Sequence, residues 1–295
     1  MTFRRFDVWA LFLMCSVSFW PAISLAQGQQ TPASPPAAPA PAAQNAKPVP
    51  DYPDPRTFMI GAFYWLTGPG KPLDVNSGSQ ALDFETLHDL GKPKYSPAIE
   101  ASYPITRTGS LHFEIFQTKG DGNQLAPVYA DIFSQGIVQG DSLATQYQIL
   151  ATKLYLDDLL FPHKFPVAKF RLKSLWEVQY VHAKATIDDL TEGAEATTPI
   201  TTNGTKQLIL PTFGLAAEYA IAPHVLLRVD GSGFGIPHKA DIWDAGASVA
   251  YRHGLWEIVA GGKAFHFKSS PNSTEYLTDT LAGAFVGIRF HLSLF

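Results

Sequence analysis

The sequence predicts an all-β chain that closes into a transmembrane, antiparallel up-and-down β-barrel of about ten strands, with eight or twelve as the alternatives. Three observations lead there. Segments with period-two alternation of apolar and polar residues recur at the length a tilted membrane strand needs. The links between them are tight and long by turns. Charged residues are only 16% of the chain, below the ~25% of ordinary soluble proteins, yet after the N-terminal segment no run is long and apolar enough for a spanning helix.

The first elements are not part of that pattern. Arg4 and Arg5 precede an apolar run from Val8 to Ile23 and the small-residue site Ser24-Leu25-Ala26. This is the layout of an export signal over 1–26, cleaved before Gln27. Cys15 lies inside the run behind Met14, where lipid attachment would need a small residue, so the processed chain is expected to carry no thiol and no disulfide. Residues 27–55 are rich in Pro and Ala, as in Thr31-Pro32-Ala33-Ser34-Pro35-Pro36, and read as a disordered linker. The barrel domain is expected over 56–295.

Within it the expected strands are 57–67, 95–105, 109–119, 142–156, 167–184, 208–221, 224–234, 240–252, 255–268 and 279–294. Arg107-Thr108-Gly109, Ala222-Pro223-His224 and Arg252-His253-Gly254 make tight turns, whereas 68–94, 120–141 and 185–207 are long links. Short turns at one end and long loops at the other are the layout of membrane barrels.

Alternation assigns the faces. Phe170, Leu172, Trp176, Val178 and Tyr180 form a lipid-facing set, opposite Lys169, Arg171, Lys173, Glu177 and Gln179. Trp243, Ala245, Ala247, Val249 and Tyr251 are the corresponding set on a later strand. Tyr103, Tyr219 and Tyr251 precede tight turns, where an interfacial aromatic girdle is expected; Trp65, Trp243 and Phe267 are candidates for the opposite girdle. Lys153 runs against the scheme, because it shares its face with Tyr147, Ile149 and Tyr155.

The closing stretch Gly283-Ala284-Phe285-Val286-Gly287-Ile288-Arg289-Phe290-His291-Leu292 resembles the final strand of bacterial outer-membrane barrels, including small OmpA-like and OmpW-like ones. The resemblance covers residues 57–295 as a pattern of strands and turns. It implies a cell outer-membrane location with the linker in the periplasm, contact with outer-membrane lipid and lipopolysaccharide, and handling by the barrel-assembly machinery. In that class the last strand is the assembly signal, here Gly287, Phe290, Leu292, Leu294 and Phe295. The apolar phase follows Leu294 rather than the terminal Phe295, a departure from the class.

On the lumen side Glu100, Glu114, Glu177, Glu218, Asp230, Asp244 and Glu257 stand against Lys169, Arg171, Lys173, Arg228, Arg252, Lys263 and Arg289. Balanced charges in a narrow barrel are expected to pair, since an unpaired buried charge is costly. The core of this expected network is Glu100, Glu114, Lys173, Glu177, Glu218, Arg228, Asp230, Asp244 and Arg289.

A net charge of -4 offers no footprint for nucleic acid. No cofactor motif and no metal-ligand spacing is found. His112 and Glu114 share a strand face and are expected to bond to each other. His266 with Ser270, and His238 near Asp241 and Asp244, are the sparse material for a lipid or peptide hydrolase. The expected role is structural, adhesive or weakly porous, without catalysis. A narrow channel for small or hydrophobic solutes, a barrel hydrolase and a soluble lipocalin-like barrel are the alternatives.

Overall fold

The computed structural model describes residues 57–67, 71–77, 85–87, 92–126, 130–133, 135–162, 169–191, 200–237, 239–269 and 275–293. The expected export signal and linker, with Leu294 and Phe295 of the expected assembly signal, lie outside the described residues. The strands in chain order are β1 (Thr57–Thr67), β2 (Lys71–Ser77), β3 (Glu85–Leu87), β4 (Lys92–Tyr95), β5 (Pro97–Pro104), β6 (Gly109–Leu125), β7 (Ala130–Ile132), β8 (Gln135–Ile137), β9 (Ser142–Phe161), β10 (Phe170–Asp189), β11 (Ile200–Ala222), β12 (Val225–Ile236), β13 (Ala240–His253), β14 (Trp256–Lys268) and β15 (Glu275–Ser293).

Ten of these form a closed antiparallel barrel in the order β1-β5-β6-β9-β10-β11-β12-β13-β14-β15. The ring closes by pairing of β1 with β15, from Thr57 opposite Ser293 to Thr67 opposite Gly283. Closure satisfies the backbone of both terminal strands, which lipid requires because it offers no hydrogen bonds. Beyond the long-loop end of the ring, β2 continues the line of β1 along β15, and β4 leads into β5 along β6. The β7-β8 hairpin is a separate two-stranded sheet.

Strands β6, β10, β11 and β15 run past the alternating segments at the upper end, and on β10 and β11 the reason is an inversion of polarity along the strand. On β10 the outward residues Phe170, Trp176 and Val178 are apolar and exposed, while Arg171, Glu177 and Gln179 are buried inside. Past Tyr180 the sides exchange character: Val181, Ala183, Ala185 and Ile187 are buried inside, with His182, Lys184 and Thr186 outward. Strand β11 repeats this, with outward Ile209, Phe213, Leu215 and Tyr219 giving way to Thr201, Asn203, Thr205 and Gln207. Strand β9 changes from outward Leu154, Leu156 and Leu160 to Gln146 and Gln148.

From Phe170 to Tyr180 the strand climbs roughly 33 Å at ~3.3 Å per residue, about 25 Å along the membrane normal at a ~40° tilt. That matches the apolar band of a membrane barrel. Above it the molecule has the ordinary order of a protein in water, apolar inside and polar outside.

The inversion explains Lys153. The face holding Tyr147, Ile149 and Tyr155 is the inner one, and all three are buried. Its apolar residues belong to the upper core, and Lys153 marks the start of the charged lower lumen. Trp65 is corrected by the same parity: it is only 3% exposed, points inward, and leaves the lipid-facing position to Tyr64. Phe267, 1% exposed, is likewise a core residue. Tyr103, Tyr219, Tyr251 and Trp243 are outward and exposed, as a girdle requires.

Candidate functional site: the lumen and the upper rim

The inward residues fall into two layers. The lower layer is ionic. Asp157, at the end of β9, accepts from Lys173 Nζ at 2.7 Å and from the Ser110 amide at 2.8 Å, with His112 Nε2 3.3 Å away. The His112 ring stacks on Tyr155. Glu218 on β11 meets Arg171 at 2.5 Å, Lys173 at 3.3 Å and Arg228 at 3.7 Å, and Arg228 also holds Asp230 at 3.0 Å.

Across the barrel Arg289 bonds Glu100 through its Nε and Glu257 through Nη1 at 2.9 Å, while His291 faces Glu257 at 3.2 Å. Higher up, Lys153 meets Asp244 at 2.6 Å and Glu177 at 3.6 Å. The Ser232 hydroxyl lies against both carboxylates, and the Gln179 amide donates to Glu177 at 3.0 Å. Lys263 pairs with Glu114.

The lumen residues Glu100, Glu114, Lys173, Glu177, Glu218, Arg228, Asp230, Asp244 and Arg289 thus share one interior. Sequence reasoning missed Lys153, Asp157 and His291 as partners. Asp157 sat in an expected turn that is strand to Phe161, and a period-two pattern does not tell which cross-barrel residues meet. His112 and Glu114 share a face, but each binds elsewhere, because adjacent inward residues on one strand face different neighbours. Arg252 is taken up at the turn, donating to Gly254 O at 3.2 Å, and Lys169 is exposed at the start of β10.

The upper layer is mainly apolar, with Ser96, Thr118, Thr145 and Asp279 among its buried polar residues. Phe116 is held between Trp65 and Phe265, with ring centroids at 5.4 and 5.0 Å and both pairs edge-to-face. Above this tier Leu143, Ile149, Ile187, Ile242, Leu277 and Leu281 are buried in one cluster. Ile132 and Ile137 of the β7-β8 hairpin join that cluster and so cap the barrel interior. The hairpin is docked at Phe133, whose carbonyl accepts from Thr202 Oγ1 at 3.1 Å. Its ring covers Gly204 so closely that a Cβ there would lie 1.7 Å from it.

Among the described residues, cavities open within the lower layer. One of about 110 Å³ is lined by Ser102, His112, Lys173 and Glu218, and one of about 80 Å³ by Glu114, Lys153 and Lys263. Glu100, Tyr155, Arg228, Ser248 and Arg289 line both, so the two adjoin along the lumen, and the upper one reaches Trp65 and Phe116. Among the described residues no group of three His, Cys, Asp or Glu side chains is placed to hold a metal ion.

His266 is not in the lumen. It projects from β14 to the outer face, where Nδ1 is 2.7 Å from Thr280 Oγ1 and Nε2 is 2.9 Å from Asp241 Oδ1. Asp244 points inward to Lys153 and is not part of this group. Ser269 is buried, accepting from the Leu277 amide at 2.8 Å, and Ser270 and His238 lie outside the described residues.

Among solved structures the chain is similar in fold to the outer membrane protease OmpT from Escherichia coli, at 10% identity over 81% of this chain and 97% of that one, with a TM-score of 0.53. Similarity extends to the attachment invasion locus protein Ail of Yersinia pestis (9% identity, 79% of this chain, 97% of that chain, TM-score 0.34). A third is the translocator domain of the autotransporter NalP from Neisseria meningitidis (10%, 79%, 87%, TM-score 0.40). No protein-family model and no curated protein matches the chain. The closed ten-stranded ring and the likeness to OmpT give the chain the fold of a bacterial outer-membrane β-barrel, without a narrower assignment to the OmpA-like or OmpW-like barrels.

Proposed function

We propose that this protein is an integral outer-membrane barrel with a closed lumen, acting as a structural or surface-contact element rather than as an open pore. In this reading residues 1–26 are removed on export and 27–55 lie in the periplasm. The short turns then face the periplasm, and the strand ends above the apolar band stand among lipopolysaccharide at the cell surface. The barrel-assembly machinery inserts the chain through its last strand.

The observation that carries the reading is the filled interior: paired charges below, the Trp65-Phe116-Phe265 tier above them, and the hairpin residues Ile132 and Ile137 over that. An ion entering from either end must break ion pairs or displace packed side chains, both costly in a confined interior. Planar-bilayer recording on the refolded protein is expected to give no conductance steps above the lipid background. Sustained steps at low voltage contradict it.

One observation favours a second reading, a gated narrow pathway: the two adjoining cavities run along the charged column up to Trp65 and Phe116 of the aromatic tier. Under that reading Trp65→Ala with Phe116→Ala converts a silent barrel into a conducting one. Under the closed-barrel reading the double variant stays silent.

A further inference from the structure

We propose that Thr280, His266 and Asp241 form an acyl-ester hydrolase site on the outer surface of the barrel, aimed at the surrounding lipid. The three come from neighbouring strands: His266 on β14 is directly opposite Thr280 on β15 and Trp243 on β13, with Asp241 two residues beyond Trp243. All three project outward, which only the sheet register reveals, since 39 positions separate the first from the last in the chain.

The bonding pattern has a direction. An ionised Asp241 can only accept, so Nε2 of the neutral ring carries the proton across the 2.9 Å contact. Nδ1 is left with its lone pair toward Thr280 Oγ1 at 2.7 Å, and the hydroxyl donates to it. A hydroxyl bonded to a basic ring nitrogen, with the opposite nitrogen held by a carboxylate, is the arrangement that activates an oxygen nucleophile. The indole of Trp243 stacks on the imidazole at 5.4 Å and 17°, fixing the plane of the ring.

Position defines the substrate. On β14 the outward residues Trp256, Ile258 and Ala260 end in His266 and Lys268; on β15 Ile288, Val286, Ala284 and Ala282 end in Thr280; on β13 Val249 and Ala247 end in Trp243 and Asp241. The trio therefore sits at the upper edge of the apolar band beside an exposed tryptophan, where chains meet head groups. Ester carbonyls of membrane lipids lie at that level. Long-chain acyl esters, of phospholipid or of glycolipid, are the substrate class.

In the reaction Thr280 Oγ1 attacks the ester carbonyl as its proton passes to His266 Nδ1. The bond from the carbonyl carbon to the alcohol oxygen breaks, and His266 returns the proton to that oxygen. Water, deprotonated by the same nitrogen, then cleaves the acyl-threonine and releases the fatty acid. Lys268, across from Asp241 on the same face, lies with its ammonium over the Tyr276 ring, 4.9 Å from the centroid, and so puts a positive charge beside the trio.

The test uses the full processed chain refolded in detergent, with micellar p-nitrophenyl decanoate, phosphatidylethanolamine vesicles and lipopolysaccharide as probes. Fatty-acid release is expected, falling about 100-fold or more in Thr280→Val and His266→Asn and retained in Thr280→Ser. A fluorophosphonate probe is expected to label Thr280, as located by mass spectrometry. Release from the vesicles or from lipopolysaccharide identifies the lipid source, and either supports the site. Absence of release from all three probes by the natural chain overturns the proposal. So does unchanged release in Thr280→Val, which would leave the trio as polar groups that only satisfy each other. Heat-modifiable migration of each variant verifies that the barrel has formed.

Discussion

The lower and upper halves of this barrel are built from the same strands with opposite rules. Below Tyr180 on β10, apolar side chains face out and charged ones face in; above it, Val181 to Ile187 face in and His182 to Thr186 face out. The backbone pairing runs unbroken through the change, from Phe170 opposite Tyr219 to Asp189 opposite Ile200. The sheet is indifferent to its surroundings, because closure satisfies every interior strand in lipid and in water alike. Side chains alone record where the membrane stops.

The two halves should therefore fail in different ways. The largest loss is expected where the lower half loses its charge balance: Asp157→Ala leaves Lys173 to share Glu218 with Arg171 and Arg228 and removes the partner of His112, at a cost of about 3 to 5 kcal/mol. Urea unfolding of the refolded protein in detergent measures it. In the upper half, Leu281→Ala opens an apolar cavity instead, costing about 3 kcal/mol in the same measurement. An outward arginine at Val178, about 5 Å inside the upper edge of the apolar band, is expected to destabilise by about 1 to 2 kcal/mol in lipid. The same residue at His182, four positions along on the same face, costs about 0 to 1 kcal/mol. Equal costs at 178 and 182 would place the membrane boundary elsewhere.

The inversion also explains what could be read in advance. All ten barrel strands were legible, because lipid-facing alternation and the turns at Gly109, Pro223 and Gly254 are local properties of the chain. The strand extensions were not. Residues 200–207, Ile-Thr-Thr-Asn-Gly-Thr-Lys-Gln, read as a loop because their outward face is polar, and 185–189 lost the pattern for the same reason. Trp65 was placed a face out because an aromatic near a strand end suits a girdle as well as a core. The lower lumen was readable as a set of charges but not as pairs. Which acid meets Lys153 is decided by curvature across the barrel, where Asp244 is 91 residues away in sequence. The Thr280-His266-Asp241 trio was invisible on the same ground, with His266 read against the serines that follow it.

Strand β10 allows the direct test, because the only cysteine, Cys15, precedes the barrel and single cysteines can be placed one at a time from 170 to 188. Each is labelled with a fluorophore in vesicles carrying brominated chains, and separately challenged with a water-soluble maleimide. Even positions from 170 to 180 are expected to be quenched by the lipid, even positions from 182 to 188 to react from water, and odd positions from 181 to 187 to do neither. Lipid quenching that continues past 182 on the even face would contradict the two-layer barrel.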